Sequence, residues 1–307
     1  MCGLVSIHTN NSNLLEKETI LNNMIEKIAH RGPDGEGIVH VQNQALFGHR
    51  RLAIIDVDHG QQPMRCNKKR YTLVFNGEIY NYIELAEILK KDGISLKSSS
   101  DTEVLFQLLI KMGEKAMPYL NGMFSFIFHD SKDNSWIAAR DHFGIKPLYY
   151  AICGSDLVFA SEIKAILEHP DISAERDEKS LQQYLSFQFC LDERTLFKDI
   201  IKVRPGHYLS GKGSKIIKDT CFWELDYQIN NDHTEERFEK ELQELLKNAM
   251  HLQMRSDVPI GAYLSGGIDS SLVSSLAAEQ HDKALPMFHG KFLEGPQYDE
   301  SKYAKEV

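Results

Sequence analysis

One short segment limits the fold more than any other. An apolar run, Val258–Leu264, meets a polar turn, Ser265–Ser271, and then a helical run, Leu272–Glu279. Strand, tight polar loop and helix in that order open a nucleotide-binding α/β unit. In Leu264-Ser-Gly-Gly-Ile-Asp-Ser-Ser271 the glycines let the backbone approach a ligand, while serine hydroxyls and the N–H groups of a helix start are donors for phosphate. No lysine follows the glycines as in a Walker-A loop, and the spacing is not G-x-G-x-x-G. A plain turn capped by serines is the bland alternative. Two glycines, an aspartate and three serines within seven positions favour the phosphate reading.

The chain before this unit has a different texture. Cys2–His8, Ala45–Phe47, Leu52–Asp56, Tyr71–Asn76, Phe124–His129, Ser135–Ala139 and Leu148–Ile152 are short, apolar or β-branched runs that predict strands. Between them, Leu14–Ile28 carries Ile20, Leu21, Met24, Ile25 and Ile28 at helical spacing, and Asp101–Met112 carries Val104, Leu105, Leu108 and Leu109, with Asp101 as its N-cap. Strands followed by paired helices predict sheets packed face to face with helices outside. Pro205, Gly206, Gly211 and Gly213 then mark a change of texture and, with the polar stretch Gln228–His233, a domain boundary. A helix over Glu235–Met254 follows, with Phe238, Leu242, Leu245, Leu246, Ala249 and Leu252 along one stripe.

Composition removes several classes. With 42% hydrophobic and 26% charged residues the chain is neither disordered nor collagenous. Its net charge of −9 argues against a general nucleic-acid binder, which needs a basic face. No apolar run reaches the roughly 20 residues of a membrane span, and the N-terminus lacks a signal-peptide pattern, so a cytoplasmic protein without membrane partners is expected. Five cysteines without a C-x-x-C pair point to neither a disulfide framework nor a zinc site.

Cys2 stands apart from the other four. Once Met1 is removed, thiol and α-amine belong to one residue, and an amine with a pKa near ~8 can activate its own nucleophile. Taken alone, Cys2 would be an incidental residue of a first strand. Four further segments alter that reading: His30-Arg-Gly-Pro-Asp-Gly35, Arg50-Arg-Leu-Ala-Ile-Ile-Asp56, Phe75-Asn-Gly-Glu-Ile-Tyr-Asn81 and Ser100-Asp-Thr-Glu103. Each alone is ordinary, as a turn, a strand edge or a cap. In this order after Cys2, and running to Arg204-Pro-Gly-His-Tyr208, they resemble the glutaminase domain of class II glutamine amidotransferases. The later Ser-Gly-Gly-Ile-Asp-Ser loop resembles the pyrophosphate loop of ATP pyrophosphatases. Joined, the two halves resemble the glutamine-hydrolysing asparagine synthetases, with Arg140-Asp-His-Phe-Gly-Ile-Lys-Pro-Leu-Tyr149, Ala160-Ser-Glu-Ile-Lys-Ala165 and Ser256-Asp-Val-Pro259 as further matching segments. Tyr298-Asp-Glu-Ser301 also matches, whereas Lys291 in Phe288-His-Gly-Lys-Phe292 stands where the family has glycine.

The resemblance implies an α+β N-terminal-nucleophile sandwich, two packed antiparallel sheets between helix layers, over residues 2–212. A linker over 213–233 and the beginning of an α/β doubly wound parallel-sheet nucleotide-binding domain over 234–307 would follow. Cys2 would be the nucleophile, with the Asn76 side chain and the Gly77 N–H as oxyanion donors. Arg51, Leu52, Ile54, Ile55, Asn76, Gly77, Glu78 and Asp101 would bind glutamine, Arg51 rather than Arg50 taking its carboxylate. Leu264, Ser265, Gly266, Gly267, Asp269, Ser270 and Ser271 would hold ATP and the leaving pyrophosphate. Magnesium would arrive with ATP, near Asp269, with no prosthetic group.

The implied reaction is glutamine-dependent amidation of aspartate through β-aspartyl-AMP, giving asparagine, AMP and pyrophosphate. Glutamine, aspartate and ATP would be the partners, with a homodimer as the implied assembly. An amidotransferase of the same layout acting on a cell-wall or secondary-metabolite carboxylate, or a catalytically silent regulatory homologue, are the alternatives. The 74 residues from Thr234 to Val307 fall short of the roughly 100–150 of a whole doubly wound domain. One complete domain, active as a glutaminase only, and the first part of another are therefore expected.

Overall fold

The computed structural model describes residues 1–9, 14–41, 44–229, 231–281, 284–291, 295 and 299–307. Phe292 and Tyr298, named above, lie outside them. The described strands are β1 (Gly3–Thr9), β2 (Gly35–Val41), β3 (Ala45–Arg51), β4 (Met64–Arg65), β5 (Tyr71–Ile79), β6 (Gly122–Asp130), β7 (Ser135–Arg140), β8 (Tyr149–Cys153), β9 (Asp156–Ala160), β10 (Ile200–Lys202), β11 (His207–Lys212), β12 (Lys215–Cys221), β13 (Ala262–Tyr263) and β14 (Met287–Phe288). The α-helices are α1 (Leu14–Lys27), α2 (Tyr82–Lys91), α3 (Asp101–Met112), α4 (Ile163–Ile166), α5 (Glu178–Phe187), α6 (Glu235–Gln253), α7 (Ile268–Glu279) and α8 (Ser301–Glu306). None of them is long and apolar enough to cross a membrane.

The chain divides into two compact units, Met1–Leu225 and Asp226–Val307. In the first, two six-stranded sheets have the orders β10-β8-β9-β1-β3-β2 and β12-β11-β7-β6-β5-β4. Every pairing within them is antiparallel. Side-chain alternation sorts their residues into three apolar layers. Leu4, Phe47, Leu157 and Phe159 of the first sheet meet Val74, Ile127, Trp136 and Leu209 of the second, filling the space between the sheets. On the outer side of the first sheet, Val5, Ile7, Leu46 and Val158 pack on Leu21, Met24 and Ile25 of α1 and Ile166 of α4. Outside the second, Phe75, Phe124, Phe126 and Phe128 pack on Leu85 of α2 and Leu105 and Leu109 of α3. The result is the sandwich that the sequence resemblance implies.

Three local readings change. Leu52–Asp56 is not a strand: Leu52, Ile54 and Ile55 line a cavity, and the carbonyls of residues 55–57 turn inward onto the Arg51 guanidinium. The N-cap of α3 is Ser100, whose hydroxyl accepts from Thr102 N at 3.2 Å; the Asp101 carboxylate turns instead to Ile79 N at 3.0 Å. The glycine-rich stretch near residue 213 is the turn of the β11–β12 hairpin, whose Gly213 carbonyl accepts from Trp136 Nε1 at 2.7 Å.

In the second unit β13 and β14 pair in parallel and α7 connects them, a β-α-β step. Only Ala262 and Tyr263 of the expected strand Val258–Leu264 form regular ladder pairs, with Leu264 N adding one bond to Phe288 O at 2.8 Å. The helix after the turn begins at Ile268, four residues earlier than the apolar run suggested.

Candidate active site

The first sheet carries Cys2 at the head of β1 and Arg51 at the tail of β3; the second carries Asn76, Gly77 and Glu78 on β5. Their meeting point is a cavity of about 220 Å³. Pockets for drug-sized ligands occupy roughly 300–1,000 Å³, so this one suits an amino-acid-sized molecule. Cys2, Arg51, Leu52, Ile54, Ile55, Asn76, Gly77, Glu78 and Asp101 all line it.

Cys2 is held at both ends. Its sulfur accepts from Leu52 N at 3.3 Å and lies 3.5 Å from Leu52 O. Burial pushes its thiol up, with the Leu52 amide opposing. Its carbonyl accepts from Arg31 Nε at 2.8 Å, and Arg31 Nη1 donates to Glu162 at 2.8 Å. Glu162 is pushed up by burial, but bonds from Arg31, Lys164 and His30 outweigh this and bring it down to about 2. The His30–Gly35 and Ala160–Ala165 segments thus anchor the backbone of the first residues.

Arg51 donates to Val57 O at 2.6 Å, Asp56 O at 2.7 Å and Ile55 O at 3.5 Å. These use three of its five N–H donors. The loop is pinned again by Asp56, which accepts from His59 N and Nδ1 and from Ser99 N and Oγ. Burial raises the Asp56 carboxyl, yet these bonds hold it below its ordinary range.

On β5, Asn76 is fully buried, and neither amide atom of its side chain has a hydrogen-bond partner among the described residues. Gly77 has φ +157°, and a Cβ there would stand 2.1 Å from Met123 O, so only glycine lets β5 lie this close to β6. Burial raises Glu78, opposed by Lys146. Asp101 is pushed up to about 7 by burial, helped by the neighbouring charge of Glu78, while Ile79 N opposes.

The cavity also contains residues the sequence reading did not single out. Lys146 is buried and its amine is lowered by that burial, against the pull of Glu78 and Cys2. Its loop is shaped by Asp141, which accepts from the N–H groups of Phe124, Phe143, Ile145 and Lys146. The Arg140–Tyr149 motif was the available signal for Lys146. Gln62, Phe75, Thr102 and Met123 complete much of the wall.

In the second unit, Leu264–Gly267 turns between β13 and α7, and Ile268–Ser271 forms the first turn of that helix. Ser265 Oγ and Ser270 Oγ are 2.8 Å apart, Gly267 N donates to Ser265 Oγ at 3.2 Å, and Ser271 N donates to Gly267 O at 3.0 Å. Gly266 has φ +89°, and a Cβ there would lie 2.6 Å from Tyr303 Cβ. Asp269 sits in the first turn of α7. Serines, glycines and helix N-terminus together form a donor-rich loop of the type that receives phosphate. Among the described residues no group of three or more His, Cys, Asp or Glu side chains could hold a metal ion.

Comparison with known proteins agrees with this division. The family model for the glutamine amidotransferase domain matches residues 1–223, and that for asparagine synthase matches 241–307. Asparagine synthetase [glutamine-hydrolyzing] 1 of Bacillus subtilis is 38% identical over 309 residues, covering 100% of this chain and 48% of that protein. An amidase of Gibberella zeae is 34% identical over 263 residues, covering 84% of this chain and 38% of its own length. The chain spans about half the length of the Bacillus relatives it matches. A solved glutamine phosphoribosylpyrophosphate amidotransferase of B. subtilis aligns over 100% of this chain and 70% of its own, with a TM-score of 0.52 at 19% identity, a likeness of fold. With that fold, the cavity at Cys2 and a model match over most of its length, the chain belongs to the glutamine amidotransferase family, its C-terminal part matching the start of an asparagine synthase domain.

Proposed function

We propose that the first unit hydrolyses glutamine at Cys2, and that residues after the linker begin an ATP-dependent domain that uses the ammonia to amidate the β-carboxylate of aspartate. One observation carries the glutaminase reading: a single amino-acid-sized cavity holds the Cys2 thiol together with a buried Asn76 amide that has no partner among the described residues. A buried polar group without a partner is costly unless a ligand supplies one.

In this reading Arg51 takes the α-carboxylate of glutamine, Glu78 and Asp101 take its α-ammonium, and Leu52, Ile54 and Ile55 flank its methylenes. Cys2 sulfur attacks the side-chain carbonyl carbon, and the oxyanion is received by Asn76 Nδ2 and Gly77 N–H. Collapse expels ammonia and leaves a thioester, which water converts to glutamate and free thiol. Burial keeps the resting thiol protonated, so the step needs a base at the sulfur. The α-amine of Cys2 serves once Met1 has been removed. ATP, with its magnesium, would be held at Leu264, Ser265, Gly266, Gly267, Asp269, Ser270 and Ser271, and attack by aspartate would release pyrophosphate.

Cys2→Ala is expected to abolish glutamine hydrolysis while leaving the fold intact; hydrolysis at the unsubstituted rate would overturn the assignment. The acceptor has a second reading, because one relative is named an amidase. In the longer protein, pyrophosphate release that depends on aspartate supports asparagine formation, and aspartate-independent release supports another carboxylate.

A further inference from the structure

We infer that Gln62 is a positioning residue for the oxyanion donors, acting as a one-residue substitute for a missing strand beside β5. This rests on the glutaminase reading. The argument begins with register. β4 pairs with β5 only through Met64↔Leu73 and Arg65↔Thr72. Extending that antiparallel register by two residues sets Gln62 opposite Phe75.

At that position the side chain replaces the backbone. Gln62 Oε1 accepts from Phe75 N at 2.6 Å, and Gln62 Nε2 donates to Phe75 O at 3.0 Å. This carboxamide pair reproduces the two bonds that a facing strand residue would make. Because strand backbone groups alternate sides, Phe75 and Gly77 present theirs to this same edge, away from β6. Leu73 meets β4, Phe75 meets the Gln62 carboxamide, and the next edge position, Gly77, opens on the cavity. Gln62 therefore terminates the paired edge one step before the proposed oxyanion donors.

Two neighbours make the device rigid. His49 Nε2 donates to the same Phe75 carbonyl at 2.9 Å. Gln62 itself is wedged against β2, where a Cβ on Gly37 would stand 2.0 Å from Gln62 O. Both carboxamide atoms of Gln62 are thus committed to the Phe75 peptide units that lead directly into Asn76. Glutamine is instead recognised by Arg51, Glu78 and Asp101, which hold substrate without the Phe75 clamp. Removing the clamp should therefore loosen transition-state contacts more than substrate binding.

The test compares unsubstituted protein with Gln62→Glu, Gln62→Met, Gln62→Ala and Cys2→Ala in steady-state glutamine hydrolysis. Cys2 alkylation by iodoacetamide and thermal unfolding are measured alongside. Gln62→Glu keeps the size and removes the donor to Phe75 O. The Gln62 variants are expected to lower kcat by about tenfold to a hundredfold, below the roughly 10²–10³ of deleting an oxyanion donor outright. KM for glutamine and the alkylation rate should stay within about threefold. Unchanged kcat, a KM that rises as much as kcat falls, or alkylation slowed in parallel would each overturn the proposal. If Gln62→Glu does not fold, Gln62→Met gives the same split with an apolar side chain of similar length. Full hydrolysis by Cys2→Ala would overturn the glutaminase reading itself, an outcome distinct from any pattern among the Gln62 variants.

Discussion

Asp101 illustrates how a single buried group can set the working range of a site. Its carboxyl is pushed up to about 7 by burial, with Glu78 adding a like charge nearby. An α-ammonium group is attracted to the ionised form, which prevails above pH 7 and is lost below it. The KM for glutamine is therefore expected to rise as pH falls from 8 to 6, and Asp101→Asn should bind more weakly with a flatter profile. Steady-state kinetics across that range decide the matter; a KM for the unsubstituted protein that does not move would refute the role given to Asp101. At this scale the sequence was most informative where residue type in order carried the resemblance, as at Cys2, Arg51 and Asn76-Gly77, which the fold brings to one cavity. Gln62 was invisible because its partner, Phe75, is thirteen positions away in the chain and the bond is to backbone. A glutamine before a proline reads only as a turn. Lys146 was missed for a related reason: its motif was visible, but burial beside Cys2 and Glu78 is a property of the folded chain.

Elements were legible in proportion to how strongly one face differs from the other. The Asp101–Met112 helix was bounded correctly because its apolar stripe is interrupted by polar positions, and Gly113 closes it. β1 shows little alternation because all seven of its residues are buried, between the sheets on one side and under α1 on the other. Leu52–Asp56 has a similar texture, but its apolar residues serve a cavity wall. Asp56 bends the backbone there with φ +47°. The start of α3 is where element and site meet, since one turn supplies both the Ser100 cap and the Asp101 carboxylate. Replacing an N-cap serine by alanine typically costs about 1 kcal/mol. Ser100→Ala is accordingly expected to lower unfolding free energy in urea by about that amount, and Ser100→Asp to recover most of it. Equal stability of all three proteins would show that tertiary packing alone fixes the helix start.

The three core layers of the molecule all draw on residues before Asp226. This closure is independent of anything later in the chain, and it was implied by the strand and helix texture of the first two-thirds of the sequence. The extent of the second sheet was harder to read, because Gly211 and Gly213 belong to the β11–β12 hairpin and Pro205 and Gly206 only lead into it. In Asp226–Val307 the buried apolar side chains among the described residues are Leu264, Ala277 and Leu285. So small a core cannot offset the backbone entropy lost on ordering, roughly 1–2 kcal/mol per residue. A protein ending at Leu225 is therefore expected to unfold in one cooperative transition and to hydrolyse glutamine at a rate within about threefold of the 307-residue chain. A peptide of residues 226–307 is expected to melt without a cooperative step. Calorimetry on the two pieces, with glutaminase assay of the first, would reveal dependence on the later segment as a lowered Tm or lost activity in the 1–225 protein.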